Sequence, residues 1–166
     1  DPLYISLNEP YVVPAWVAND VYGSQVPLVE DETITLRALM WTCIFQSGND
    51  AACAIAEMVG DKSFQGQGYS QFMLAMNARA AELGMDGTQF HNPAGLDDPP
   101  RAYPGSHYST PHDMALLSRA AMENEIVREI VGANHFQMHR RVGPQGDCEI
   151  EPGEFVVLAM GDREER

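Results

Sequence analysis

Apolar residues recur through the middle of the chain at helical spacing, with short breaks between the runs. Leu36, Leu39, Met40, Cys43 and Ile44 stand at i, i+3, i+4, i+7 and i+8, which forms one stripe along a helix. Thr35 is placed to cap that helix. Ser47-Gly48 is expected to end it, with Gly48 taking the left-handed conformation. Asn49 or Asp50 opens the next helix, whose stripe is Ala52, Ile55, Ala56 and Val59 and whose stop is Gly60. A third helix is expected from about Tyr69 to Leu83, with Phe72, Met73, Met76, Ala80 and Leu83 on one side and Gly84 at its end. Thr110-Pro111-His112-Asp113 combines a cap, a proline at the first helical position and a carboxylate near the positive end of the helix dipole. Met114, Leu117 and Ala121 continue that helix, and Asn124 to Val131 makes a shorter one closed by Gly132.

The flanks read differently. Pro2, Pro10, Pro14 and Pro27 break any long helix in residues 1–31, although Tyr11-Val12-Val13 and Gln25 to Val29 suit extended chain. Residues 85–109 form a long loop containing Asn92-Pro93-Ala94-Gly95-Leu96. Pro93 holds Asn92 extended, so the chain must reverse, and Gly95 is expected at positive φ. Phe155 to Met160 is a β-prone run between Pro152-Gly153 and Gly161. The expected organisation is one domain over residues 1–166: an irregular lead-in (1–31), a helical block (32–132) and a β-containing tail (133–166). The fold class is α+β, mostly helical, with a short β segment towards the C-terminus.

Composition narrows the function. A chain of 166 residues, 45% hydrophobic, can bury one ordinary core. Its net charge of −14 repels phosphate backbones and anionic bilayers, so nucleic acid is not an expected partner. Arg37 and Gln46 bracket the longest apolar candidate, which is too short for a transmembrane segment. No basic, apolar-cored leader opens the sequence, so any export signal is expected to have been removed. Cys43, Cys53 and Cys148 form neither a disulfide framework nor a zinc spacing. His135 and His139 lie four apart, with Asp147 and Glu149 as the only further ligand candidates, and read as a solvated face; no metal is expected. His107 reads as a loop residue, and His91 and His112 as surface or capping residues.

The sharpest motif is Ser47-Gly48-Asn49-Asp50-Ala51-Ala52, at the break between two apolar helices. Taken alone it is a helix stop and restart. Ile34-Thr35-Leu36 and Leu39 precede it, and Ala54-Ile55-Ala56-Glu57 follows. Downstream come Met76-Asn77, Ala80, Leu83-Gly84-Met85, Thr88, Phe90, Asn92-Pro93 and Gly95-Leu96, then His107 to Thr110, Asp113 and Leu117. This ordered series, over roughly residues 17–132, resembles the D-alanyl-D-alanine carboxypeptidases. These are the low-molecular-weight penicillin-binding proteins of the serine peptidase and β-lactamase superfamily.

The resemblance implies the helical part of a penicillin-binding, β-lactamase-like domain. It implies serine acyl transfer on peptidoglycan stem peptides, binding of β-lactams, no cofactor, and a location outside the cytoplasm. Three motifs build one site in that family: Ser-x-x-Lys, Ser-x-Asn and Lys-Thr-Gly. By resemblance Ser47 is the hydroxyl that relays a proton to the leaving amine, and Asn49 contacts the substrate amide. The other two motifs are absent: Lys62 is the single lysine, and Val59 stands three residues before it. Arg141-Val142-Gly143 stands near where the Lys-Thr-Gly strand would fall, but Val142 lacks the hydroxyl and the spacing from Gly132 is short, which leaves Arg141 a weak candidate for the substrate carboxylate. The resulting expectation is a carboxypeptidase-like domain that is incomplete or inactive as this chain alone, with a complementary segment supplying the nucleophile. The alternative is a non-catalytic binding or interaction module built on the same fold.

Overall fold

The computed structural model describes residues 5–64, 68–96 and 107–134. In chain order these hold β1 (Pro10–Val12), α1 (Ala15–Asn19), β2 (Thr33–Thr35), α2 (Leu36–Phe45), α3 (Asn49–Phe64), α4 (Gly68–Glu82), α5 (Pro111–Ala121) and α6 (Glu125–Gly132). The β-prone run from Phe155, Arg141-Val142-Gly143, the histidine pair His135 and His139, and Cys148 lie outside the described residues.

Of the two strands, β1 overlaps Tyr11-Val12-Val13, which suited extended chain, whereas β2 lies inside the block expected to be helical. β1 and β2 are antiparallel, with Pro10 opposite Thr35, Tyr11 opposite Ile34 and Val12 opposite Thr33. Beyond the strands, the Leu36 and Arg37 N–H groups donate to the Glu9 and Leu7 carbonyls at 3.1 and 2.8 Å. The sheet therefore runs straight into α2 without a loop. Three-residue strands carry little periodic signal; what stabilises them is a partner some twenty residues away.

α3 is the central helix, packed against α2 on one side and α4 on the other. Its buried hydrophobic residues are Ala51, Cys53, Ala54, Ala56 and Met58, mostly small, which lets neighbouring helices approach. The expected stripe is correspondingly displaced, and Ala52, Ile55 and Val59 are only half-buried. A helix with neighbours on two sides has no single buried stripe. α2 behaves likewise. Leu36, Ala38 and Leu39 face the main core with Val13, Val17, Val26, Leu28 and Ile34, whereas Trp41 turns to Ile130 of α6. Ile44, placed in the stripe by periodicity, is exposed.

Gly60 does not end a helix. α3 continues to Phe64, and a Cβ on Gly60 would lie 1.9 Å from the Gly68 carbonyl oxygen. Glycine is needed there for close approach of α4 rather than for a turn. The expected caps hold: Thr35 accepts from the Ala38 N–H and Thr110 from the Asp113 N–H. Asn124, expected inside its helix, instead caps it, accepting from the Ile126 and Val127 N–H groups. Gly84 follows α4 at φ 76°. Gly132 is the last helical residue of α6 rather than the residue beyond it.

Candidate active site

The Ser-Gly-Asn triplet occupies the break between α2 and α3. Ser47, not Gly48, takes the left-handed conformation, at φ 55°. A side chain there is strained by about 1–2 kcal/mol. Gly48 serves contact instead: a Cβ on it would lie 2.3 Å from the Val26 Cγ2 atom. Its carbonyl accepts the first bond of α3, from the Ala52 N–H at 3.0 Å. The Ser47 side chain is exposed, whereas Asn49 and Asp50 are buried at the start of α3.

The segment from Tyr22 to Leu28 holds this loop at successive points. The Tyr22 carbonyl accepts from the Asn49 side-chain amide at 2.9 Å. The Ser24 carbonyl accepts from the Asn49 N–H at 2.8 Å, and the Ser24 hydroxyl donates to the Gln46 carbonyl at 3.1 Å. The Asp50 carboxylate, 1% exposed, accepts from the Val26 N–H at 3.0 Å, the Leu28 N–H at 3.2 Å and the Ala51 N–H at 2.9 Å. Val26 and Leu28 are buried while Gln25, Pro27 and Val29 are exposed. That is the alternation of a strand. Here a carboxylate, rather than a neighbouring strand, satisfies the inward N–H groups. Gly23, at φ 88°, lets the chain pass close: a Cβ there would lie 2.6 Å from the Asn49 Nδ2 atom.

Beside this loop lies a cleft of about 150 Å³ lined by Trp16, Tyr22, Cys53, Tyr69, Asn92 and Leu96, among others. Asn92 shapes one wall. Its Oδ1 accepts from the Ala94 and Leu96 N–H groups at 3.1 and 3.0 Å, and its Nδ2 donates to the Leu96 carbonyl at 2.6 Å. Gly95 closes that turn at φ 72°. Farther along the long loop, Gln89 and Tyr108 pair as an isolated bridge; residues 97–106 lie outside the described residues. Neither the 150 Å³ cleft nor a larger apolar trough of about 390 Å³, lined by Phe72, Met76, Leu83, Phe90 and Leu117 among others, has Ser47 or Asn49 in its lining.

Two other candidate groups do other work. Lys62 pairs with Glu9 on the surface, near the far end of α3. Thirteen residues of helix put it about 20 Å along the axis from Asn49. Burial, and then the nearby Asp50 carboxylate, pushes the Cys43 thiol up, which leaves less of the reactive thiolate. Sequence reasoning missed the part that Asp50 and residues 22–28 play in holding the loop. The available signals were the alternation at Val26 and Leu28 and the glycine at position 23.

Mostly helical with one small sheet, the described residues have the fold of penicillin-binding and β-lactamase-like domains. The chain belongs to the D-alanyl-D-alanine carboxypeptidase family, which it matches over residues 11–141. It is 32% identical over 110 residues to the D-alanyl-D-alanine carboxypeptidase DacF of Bacillus subtilis, covering 66% of this chain and 25% of that one. It is 40% identical over 96 residues to a D-alanyl-D-alanine carboxypeptidase of Mycobacterium tuberculosis, covering 58% of this chain and 29% of that one. A solved structure of a D-alanyl-D-alanine carboxypeptidase from the same bacterium superposes with a TM-score of 0.70 at 31% identity, covering 89% of this chain and 50% of its own. The chain thus spans about a quarter to a third of these curated relatives.

Proposed function

We propose that this chain is the helical part of a serine-type D-Ala-D-Ala carboxypeptidase that acts on peptidoglycan stem peptides outside the cytoplasm. The observation that carries the reading is the family match over residues 11–141 together with a left-handed Ser47 whose side chain reaches solvent. In this reading Ser47 relays a proton to the leaving D-alanine. Asn49, its amide nitrogen anchored on the Tyr22 carbonyl, offers its oxygen to a substrate N–H. An acyl-enzyme needs a nucleophile activated by a base. No serine among the 166 residues has a lysine three positions on, so a complementary segment supplies that pair. Arg141 is the candidate for the substrate carboxylate.

Intact-mass spectrometry after incubation with a β-lactam tests this. The chain alone is expected to show no adduct, and the chain fused behind the Ser-x-x-Lys region of a family member is expected to gain one antibiotic mass. An adduct on the chain alone would refute the need for a second segment. Binding of a D-Ala-D-Ala peptide with no adduct in the fusion would mark a binding module instead.

A further inference from the structure

We infer that Asp50 is the positioning residue of the Ser-Gly-Asn loop, acting on Ser47 through the main chain of residues 22–28. The inference rests on the reading of Ser47 given above, but its structural half can be measured without it. Ser47 is held in a conformation that its own side chain disfavours, so contacts that fix the backbone around it matter. The contacts from outside come from residues 22–28: Ser24 grips Gln46 on one side of Ser47 and Asn49 on the other, and Val26 fills the space left by Gly48.

The Asp50 carboxylate fixes the middle of residues 22–28, meeting the Val26 and Leu28 N–H groups with one side chain. Charged acceptors make the stronger hydrogen bonds, and a fully buried one leaves little room for slippage. Asp50 also stands next to Asn49, whose side chain hangs on Tyr22 at the other end of the same segment. One buried carboxylate therefore sets the position of the segment, and the segment sets the backbone of Ser47 and the side chain of Asn49. Asp50 touches no reacting atom.

The test is nuclear magnetic resonance on the full chain and on Asp50→Asn. Asparagine keeps one acceptor oxygen but turns an N–H₂ towards the Leu28 N–H. The expected result is loss of the Ser47 couplings that mark positive φ, with α2 and α3 still helical. In the same variant, the Ser47 amide is expected to lose its response to an added peptide ending in D-Ala-D-Ala. Unchanged Ser47 couplings in Asp50→Asn overturn the inference. If Asp50→Asn does not fold, Ser24→Ala decides it, because that site is exposed and loses only the bond to Gln46. Weakened positive-φ couplings at Ser47 support the inference, and unchanged ones overturn it. A wild-type chain that ignores the peptide but loses its Ser47 couplings in Asp50→Asn would reject the proposed function and keep Asp50 as the residue that sets the loop.

Discussion

Trp16 and Glu57 stand 41 residues apart and meet through an indole N–H that donates to the carboxylate at 2.8 Å. The Tyr11 hydroxyl donates to the other oxygen of the same carboxylate. One glutamate on the central helix therefore fastens both β1 and α1. Glu57→Ala leaves two donors without their acceptor and should lower stability by about 2–4 kcal/mol. Glu57→Gln keeps an acceptor and should lose less. Urea midpoints measure both, and equal midpoints for wild type and Glu57→Ala would show that the fastening contributes nothing.

The same contact predicts an alkaline limb. Burial, followed by the hydrogen bond to Glu57 and its charge, holds the Tyr11 phenol far above its ordinary range. The unfolded tyrosine ionises at about pH 10. Below that pH both states keep the proton and this group adds no pH dependence. Above it the unfolded state releases a proton that the folded state retains, so stability falls as pH rises. Tyr11→Phe should remove about one proton's worth of slope, about 1.4 kcal/mol per pH unit, between pH 10 and 11.5. Denaturant titrations at several alkaline pH values read this directly, and identical slopes would contradict it.

Asp113 predicts the opposite limb. The Thr88 hydroxyl donates to its carboxylate at 2.8 Å and is the main cause holding it below the ordinary range; His112, Thr110 and the Gly87 N–H add to this. A depressed carboxylate stabilises the fold above its unfolded value of about 3.9, and the stabilisation is lost as pH falls below that. Asp113→Asn should therefore flatten the dependence of stability on pH below about 4. Acid titration followed by circular dichroism checks it, and parallel curves would mean that the cluster only spaces the loop from α5.

Two glycines should respond differently to the same methyl group. At Gly95 a Cβ meets nothing within 4 Å among the described residues, so Gly95→Ala is expected to carry mainly the cost of φ 72°, about 1–2 kcal/mol. At Gly60 the methyl would run into the main chain of α4, which cannot rotate away, and Gly60→Ala should cost about 3 kcal/mol or more. Urea unfolding of the pair gives the order. A Gly60→Ala protein as stable as Gly95→Ala would show that α3 and α4 can part without penalty.

The features legible in the sequence are those fixed by nearby residues. Thr35 and Thr110 cap because a side chain bonds an N–H three positions on, and Gly84 and Gly95 turn because the chain must reverse there. Gly60 was misread because close helix approach and helix termination both call for glycine, and only the tertiary structure tells them apart. Sequence also hid the β1–β2 pairing, since three residues hold too few repeats to show a period. At the candidate site Ser47, Asn49 and Asp50 were visible as a motif. The work of Asp50 was not, because its partners lie 22 and 24 residues earlier and are main-chain N–H groups, which any residue but proline supplies.

That last feature governs which mutations the loop tolerates. The Asp50 carboxylate reads N–H groups, not side chains, so the outward residues Gln25 and Val29 are free to drift without loosening it. Proline is the amino acid such a reader rejects, because it has no N–H to offer. The chain carries one at position 27, between the two amides that are used, where it stiffens the segment and withholds nothing Asp50 needs. Moved by a single residue in either direction, to 26 or 28, the same proline would delete a bond to Asp50. In natural variants of this chain, an imide at 27 and amides at 26 and 28 are therefore expected to travel together with the aspartate at 50.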